Sequence, residues 1–213
     1  QKHGIEVELV SLEKYEDRLG AIKSGEVDVL NLTNDGTILT QEEIPNLQTF
    51  LCLNKSKGGD ALIDKKGITK ISELKNKTIA VEQRWVSHFF LLYLLGKAGL
   101  NSSDVKVVYM KGNDIGAAIS SGKVYAAVLW EPWLSQAKSL SGGDILASTK
   151  EELIIMDLAV AKKEVLKTKS EQIRKLISIW FEALNYIKKN PDNAIKLMAI
   201  PLGISPKELK EQL

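Results

Sequence analysis

Four short stretches carry the side chains with which this chain could hold or transform a small molecule: Thr33-Asn34-Asp35, Ser56-Lys57-Gly58-Gly59-Asp60, Trp85-Val86-Ser87-His88 and Trp130-Glu131-Pro132-Trp133. The carboxylates Asp35, Asp60 and Glu131 suit a ligand group that is positive or donates hydrogen bonds, because a carboxylate is costly to bury without such a partner. A simple oxyanion would match them poorly, and a ligand with an amino or heterocyclic nitrogen would match them better. Ser87 opens a helical stretch after the strand-like TIAVE (78–82), where free backbone N–H groups favour an anion and a hydroxyl adds a contact. The same serine equally serves as a cap of its own helix. Trp130 offers a flat apolar wall with one polar atom, and Trp85 lies on a loop over the same edge. His88, beside Phe89 and Phe90, serves packing as readily as binding. Glu131 has a second reading, as partner of a lysine or as a first-turn acid of a helix with Pro132 at its first position. Asn34-Asp35-Gly36 also reads as a plain turn, and Trp133 as packing.

Catalytic chemistry is thinly provided for. Only Cys52, His3 and His88 supply a thiol or an imidazole. They show no metal-ligand spacing, and no Ser-His-Asp or paired-carboxylate arrangement is legible. No metal or cofactor is expected. KSKGGD (55–60) lacks the GxxxxGK[ST] pattern of a phosphate loop. The single cysteine excludes an internal disulfide, and its setting in FLCL (50–53) predicts a buried strand thiol. A formal charge of +2, with 29 basic residues scattered among 27 acidic ones, leaves no footprint for nucleic acid. The longest apolar run, FFLLYLL (89–95), is far short of the roughly 20 residues of a membrane span. No N-terminal signal is present, as for a trimmed product or a cytosolic chain.

What must position these residues is written twice. AIKSGEVDVL (21–30) and AISSGKVYAA (118–127) share Ala, Ile, Ser, Gly and Val at one spacing, offset by 97 positions. Each copy ends an amphipathic helix in glycine, a C-cap signal, and continues into a β-prone run. Upstream, IEVELVSL (5–12) reads as a strand in the place that VKVVYM (105–110) holds in the second copy. There, TIAVE and the helix VSHFFLLYLLGKAG complete a β-α-β-α-β unit. The first copy lacks the opening strand and most of the first helix, so Gln1 is expected to be a truncation point. Two such units mean two α/β lobes, each a mixed, mostly parallel sheet flanked by helices. Ligands of open α/β sheets bind outside the carboxyl ends of the strands. That places Leu32 to Asp35 and Trp130 to Trp133 on a common functional edge. Further on, Ile173, Leu176, Ile177, Trp180, Leu184 and Ile187 recur at helical spacing. This predicts a long helix over 170–190 with Trp180 in the core, followed by a helix from Pro191 capped by Asn190.

The phrases SGEVDV, SKGGDALIDKKGITKISELKNKTIAVEQRWVSHFFLLYLLGKAGL, SGKVYAAVLWEPWLSQA and LIIMDLAVAKKEVL together resemble the type II periplasmic binding proteins of ABC importers. The branch is the one that takes up nitrate, taurine, aliphatic sulfonates and thiamine-precursor pyrimidines. The resemblance implies a lobe of residues 1–66 and 158–213, a second lobe of 67–157, and two crossings between them that act as a hinge. It places Ser87 and its neighbours Trp85 and His88 in the ligand cleft, and the Ser56–Asp60 loop at the cleft mouth, where Thr33, Asp35, Trp130 and Glu131 would join them. It implies a monomeric solute-binding protein, extracytoplasmic and in some members lipid-anchored, with a small polar organic ligand and ABC permease subunits as partners. Two alternatives share this fold: the ligand-sensing module of a regulator or receptor, and a thiamine-pyrimidine-synthase-like enzyme.

Overall fold

The computed structural model describes residues 3–12, 14–65, 67–82 and 86–212. In chain order the elements are α1 (Tyr15–Ser24), β1 (Val29–Thr33), α2 (Asn34–Glu43), β2 (Leu47–Lys55), β3 (Asp60–Asp64), β4 (Thr78–Val81) and α3 (Val86–Lys97). They continue with β5 (Lys106–Tyr109), α4 (Gly112–Ser120), β6 (Ala126–Trp130), α5 (Trp133–Ser141), β7 (Ile145–Ser148) and β8 (Met156–Lys162). Four helices follow: α6 (Lys163–Thr168), α7 (Ser170–Lys189), α8 (Pro191–Leu202) and α9 (Pro206–Gln212). By their contacts the residues fall into two compact units, one of 1–30, 44–51 and 160–213, the other of 31–43 and 52–159.

The second unit is built on a five-stranded sheet of order β5-β4-β6-β3-β7. Strands β5, β4 and β6 run parallel, and β3 is antiparallel to both β6 and β7. Its strands are apolar on both faces, as a sheet covered twice requires. Leu62, Ile79, Val81, Ala126 and Val128 face one way, into a cluster with Phe90, Leu91, Leu94 and Leu95 of α3. Ala61, Ile63, Ala80, Ala127 and Leu129 face the other way, toward Ile115, Ala118 and Ile119 of α4 and Leu134 and Ala137 of α5. Helices α4 and α5 touch closely because Gly116 lets the backbone of Ala137 approach: a Cβ at Gly116 would lie 3.0 Å from Ala137 Cα. β3, placed with the first lobe from the sequence, lies inside this sheet. The remaining strands form a three-stranded sheet of order β1-β8-β2.

The repeat is a repeat of structure. α1 and α4 begin at equivalent residues, Tyr15 and Gly112, and β1 and β6 span equivalent residues throughout. The turn between helix and strand carries the same two hydrogen bonds in both copies. Val27 N–H donates to Ala21 O at 3.3 Å and Val124 N–H to Ala118 O at 3.2 Å. The Ser24 hydroxyl donates to Ala21 O at 3.1 Å and the Ser121 hydroxyl to Ala118 O at 3.2 Å. Gly25 and Gly122 stand at φ 82° and 75°, a left-handed conformation open to glycine at little cost. Four of the five shared residue types, Ala, Ser, Gly and Val, are thus the ones the turn uses, and the fifth, Ile22 and Ile119, is buried in the core.

Several expectations are corrected. Residues 5–12 form no strand. Val7, Leu9 and Val10 are exposed, and apolar alternation without a ladder partner leaves backbone groups unpaired, so it does not hold a strand. Cys52 is exposed, not buried; it lies on β2, at the edge of its sheet, with its thiol 3.4 Å from Asn54 O. Asn34-Asp35-Gly36 is the first turn of α2 and not a loop. In α7 only Ile173 is buried, and Trp180 is half-buried. Pro191 does open α8, but Asn190 makes no side-chain cap to it; its amide donates to Tyr186 O at 3.1 Å.

Candidate functional site

The carboxyl ends of the parallel strands β4, β5 and β6 lie on one edge of the five-stranded sheet. The antiparallel β3 enters at that edge, with Asp60 directly opposite Trp130. Glu131 N–H donates to Gly59 O at 2.9 Å, extending the ladder by one step. The pairing brings together two of the four chemical stretches, 56–60 and 130–131.

The 56–60 loop folds around one hydroxyl. Thr149, fully buried at the end of β7, accepts hydrogen bonds from Gly58 N–H at 2.9 Å and Asp60 N–H at 3.2 Å. Its Oγ1 lies 2.8 Å from Ser56 Oγ, and its own N–H donates to Asp60 O at 2.9 Å. The Ser56 hydroxyl in turn donates to Asp60 Oδ2. Gly58, at φ 101°, supplies the reversal that such a tight loop needs.

A second clamp brings in the Thr33-Asn34-Asp35 stretch. The Asn34 side chain donates to Ile154 O at 3.1 Å and accepts from Met156 N–H at 3.1 Å, copying the two bonds of a strand neighbour. Ser56 N–H donates to Ile155 O at 3.0 Å, so both stretches are tied to residues 154–156. The outcome is that Asp35 and Asp157 act electrostatically on Asp60. Burial, and after it the charges of Asp157 and Asp35, push the Asp60 carboxyl up to about 6 against the opposing Ser56 hydrogen bond. Asp35 Oδ1 is buried and, among the described residues, meets no hydrogen-bond donor. Thr33, half-buried, accepts at its carbonyl from the Thr37 hydroxyl at 3.0 Å.

The remaining sequence candidates are engaged locally. Ser87 is 1% exposed; its Oγ accepts from Glu82 N–H at 3.1 Å, bridging the end of β4 and the start of α3. His88 packs edge-on against Tyr109, ring centres 5.6 Å apart, and burial lowers its imidazole below the ordinary range. Glu131 is a helix-capping acid: its carboxylate accepts from Ser135 N–H at 3.2 Å and from the Ser135 hydroxyl at 2.8 Å, at the start of α5. Trp130 is half-buried against the α3-side cluster. Trp133 covers Gly112, where a Cβ would come within 2.6 Å of its ring. Trp85 lies outside the described residues. Burial also holds the Glu82 carboxyl above its usual range, opposed by nearby Lys111 and by a hydrogen bond from Gly112 N–H. Sequence reasoning missed Thr149 and Asp157. Asp157 left a signal, one acid interrupting the apolar run IIMDLAVA; Thr149 left none.

Comparison with known proteins shows the family to which these strand-end residues belong. The profile of the family described as NMT1/THI5 like matches residues 1–194. The chain belongs to this family. Among its relatives are a putative binding protein of Brucella abortus, 23% identical over 76% of this chain and 52% of that protein, and the taurine-binding periplasmic protein of Escherichia coli, 25% identical over 83% of this chain and 56% of that protein. The fold matches the crystal structure of the periplasmic aliphatic sulphonate binding protein of Escherichia coli, with a TM-score of 0.82 and 20% identity over 94% of this chain and 66% of that one. The family member described here therefore spans about half the length of the curated relatives it matches, and its α/β architecture is the periplasmic-binding-protein fold.

Proposed function

We propose that this chain belongs to the solute-binding component of an ABC-type importer, and that it captures a small polar organic molecule, sulfonate- and taurine-like or aminopyrimidine-like, by hinge closure of two lobes. The observation that carries the reading is the gathering of Asp60, Trp130 and the Asn34–Asp35 helix start at a strand-end edge, in a family whose relatives carry the names of binding proteins. Strand ends hold ligands because helix starts and loops there present unsatisfied donors and acceptors. An extracytoplasmic location, a permease partner and binding without catalysis all belong to this proposal. Among the described residues no helix is long and apolar enough to cross a membrane.

Within the reading, Ser56, Asp60, Asp35, Thr33 and Trp130 contact the ligand. Ser87 and His88 stand at the neighbouring helix start, and Glu131 holds the start of α5 through Ser135. The test is native mass spectrometry of protein purified without refolding, followed by calorimetry with taurine, short alkanesulfonates and aminopyrimidines. A co-purifying small molecule, or a dissociation constant in the micromolar range for one of these classes, is the expected result. A protein that carries nothing and binds none of them below about 1 mM, some −4 kcal/mol, removes the reading.

A further inference from the structure

On the α3 side of the five-stranded sheet, a cavity of about 560 Å³ opens between the end of α3, the short 3-10 turn Ile71–Leu74 and β7. None of the residues lining it is among those gathered at the strand-end edge. Its floor is apolar: Leu94, 1% exposed, with Leu146 and Ala147 of β7, all part of the cluster that packs α3 on the sheet. Ala98 and Ala147 contribute only methyl groups to its walls, which leaves the space open. The rim is charged. Glu152 accepts from the Tyr93 hydroxyl at 2.7 Å and pairs with the Lys97 ammonium, which stands 5.7 Å from the centre of the Tyr93 ring. Glu151 accepts from the Ser148 hydroxyl at 2.7 Å, with no cation paired to it among the described residues. Lys70 acts on Glu73 through its charge alone, and its ammonium forms no ion pair among the described residues.

Cavities that hold small molecules measure about 300–1,000 Å³, and this one lies within that range. Two lysines and two glutamates line it, so a purely anionic or purely cationic ligand loses at one wall what it gains at another. Lys97 and Glu152 already satisfy each other. What remains is one ammonium, Lys70, one carboxylate, Glu151, and the apolar floor. The two charges come from different walls, Lys70 at the start of the 3-10 turn and Glu151 in the turn after β7. A ligand that answers all three features carries both charges and an aliphatic body. A free amino acid bears its two charges on one carbon, whereas a peptide separates them by about 3.3–3.6 Å for each residue of extended chain. We propose that this cavity binds short apolar peptides, with the peptide carboxylate at Lys70, its ammonium at Glu151 and its side chains on Leu94, Leu146 and Ala147. The site is separate from the strand-end edge and independent of the importer reading. Tyr93 and Lys97 are positioning residues, because they fix Glu152 at the rim.

Blocked dipeptides test it. Amide NMR titrations compare leucyl-leucine with its N-acetyl form, its C-terminal amide and glycyl-glycine. Leucyl-leucine should bind with a dissociation constant below about 1 mM and shift the amides of Ser72, Ala98 and Ala147. Each blocked form should bind about threefold more weakly, the reach of an exposed charge pair. Glycyl-glycine should bind about tenfold more weakly or worse, since it buries no aliphatic side chain. Lys70→Gln should remove the penalty of the C-terminal amide alone, and Glu151→Gln that of the N-acetyl group alone. Both side chains are exposed, so neither change threatens folding. Leucyl-leucine binding weaker than that limit, or shifts confined to the strand-end residues, overturns the site. So do blocked forms that bind as well as the free peptide, and a blocking penalty that neither variant removes. Failure here leaves the importer reading standing, because that reading rests on other residues.

Discussion

At the scale of single residues, Thr149 does more for the candidate site than any residue chosen from the sequence. Its hydroxyl oxygen receives two backbone N–H groups and lies within hydrogen-bond distance of Ser56. Thr149→Val keeps the shape and deletes the acceptor, stranding donors in a site with little water access. Each stranded group costs about 1–3 kcal/mol, so the variant should lose about 3 kcal/mol of stability in urea titration and bind ligand more weakly. Thr149→Ser should recover most of both. A Thr149→Val protein as stable as wild type would show that the loop does not depend on this hydroxyl. Asp60 makes a different prediction. Its folded-state carboxyl sits at about 6, above the ordinary 3.8, so the folded protein holds this proton more firmly than the unfolded chain does. Its contribution is therefore complete below pH 4, declines as pH rises through about 6, and is gone above that. A shift of this size corresponds to about 3 kcal/mol. Urea titrations at pH 4 and pH 7 should show wild type losing more stability than Asp60→Asn across that interval; parallel losses would contradict the raised value.

At the scale of elements, what the sequence showed and what it hid follow from how local each interaction is. The helix-glycine-strand unit was readable twice because its hydrogen bonds, Val27 to Ala21 and Val124 to Ala118, close within a few residues. The apolar strands β4 and β6 and helix α3 were readable because burial against the sheet leaves a continuous apolar run. The N-terminal segment misled for the converse reason: IEVELV has the alternation of a strand, but pairing depends on a distant partner, and none appears among the described residues. Asn34-Asp35-Gly36 misled because the same residue types that favour turns also favour helix starts. For Glu131 the structure shows the local role, accepting from Ser135 at the start of α5, with Pro132 at the cap and not at the first helical position the sequence suggested. Two glycines separate the local from the distant. Gly25→Ala meets nothing within 4 Å and carries only the strain of φ 82°, about 1 kcal/mol. Gly112→Ala would push a methyl group into the Trp133 ring and should cost roughly 1–3 kcal/mol by overpacking, with a change in tryptophan fluorescence. Equal costs without a spectral change would mean that α5 moves freely away from α4.

At the scale of the whole molecule, family membership and the match to solved binding proteins fix the architecture, while the proposed ligand would depend on a handful of side chains at one edge. That division is why the fold could be read from long phrases and the ligand could not: the phrases encode strands, caps and cores, whereas Ser56, Asp60 and Thr149 meet only once residues 52–159 have folded together. The lone cysteine has a consequence at this scale. Cys52 is the chain's one thiol and it stands exposed on an edge strand. With no internal mate, disulfide formation can only join it to another molecule. In an oxidising compartment this protein should accumulate covalent dimers and mixed disulfides with small thiols. Non-reducing electrophoresis after exposure to oxidised glutathione should reveal both, and Cys52→Ser should abolish them. The same solitary sulfur makes the protein a one-address target for a maleimide dye, so a single fluorophore can be installed without removing any other reactive group.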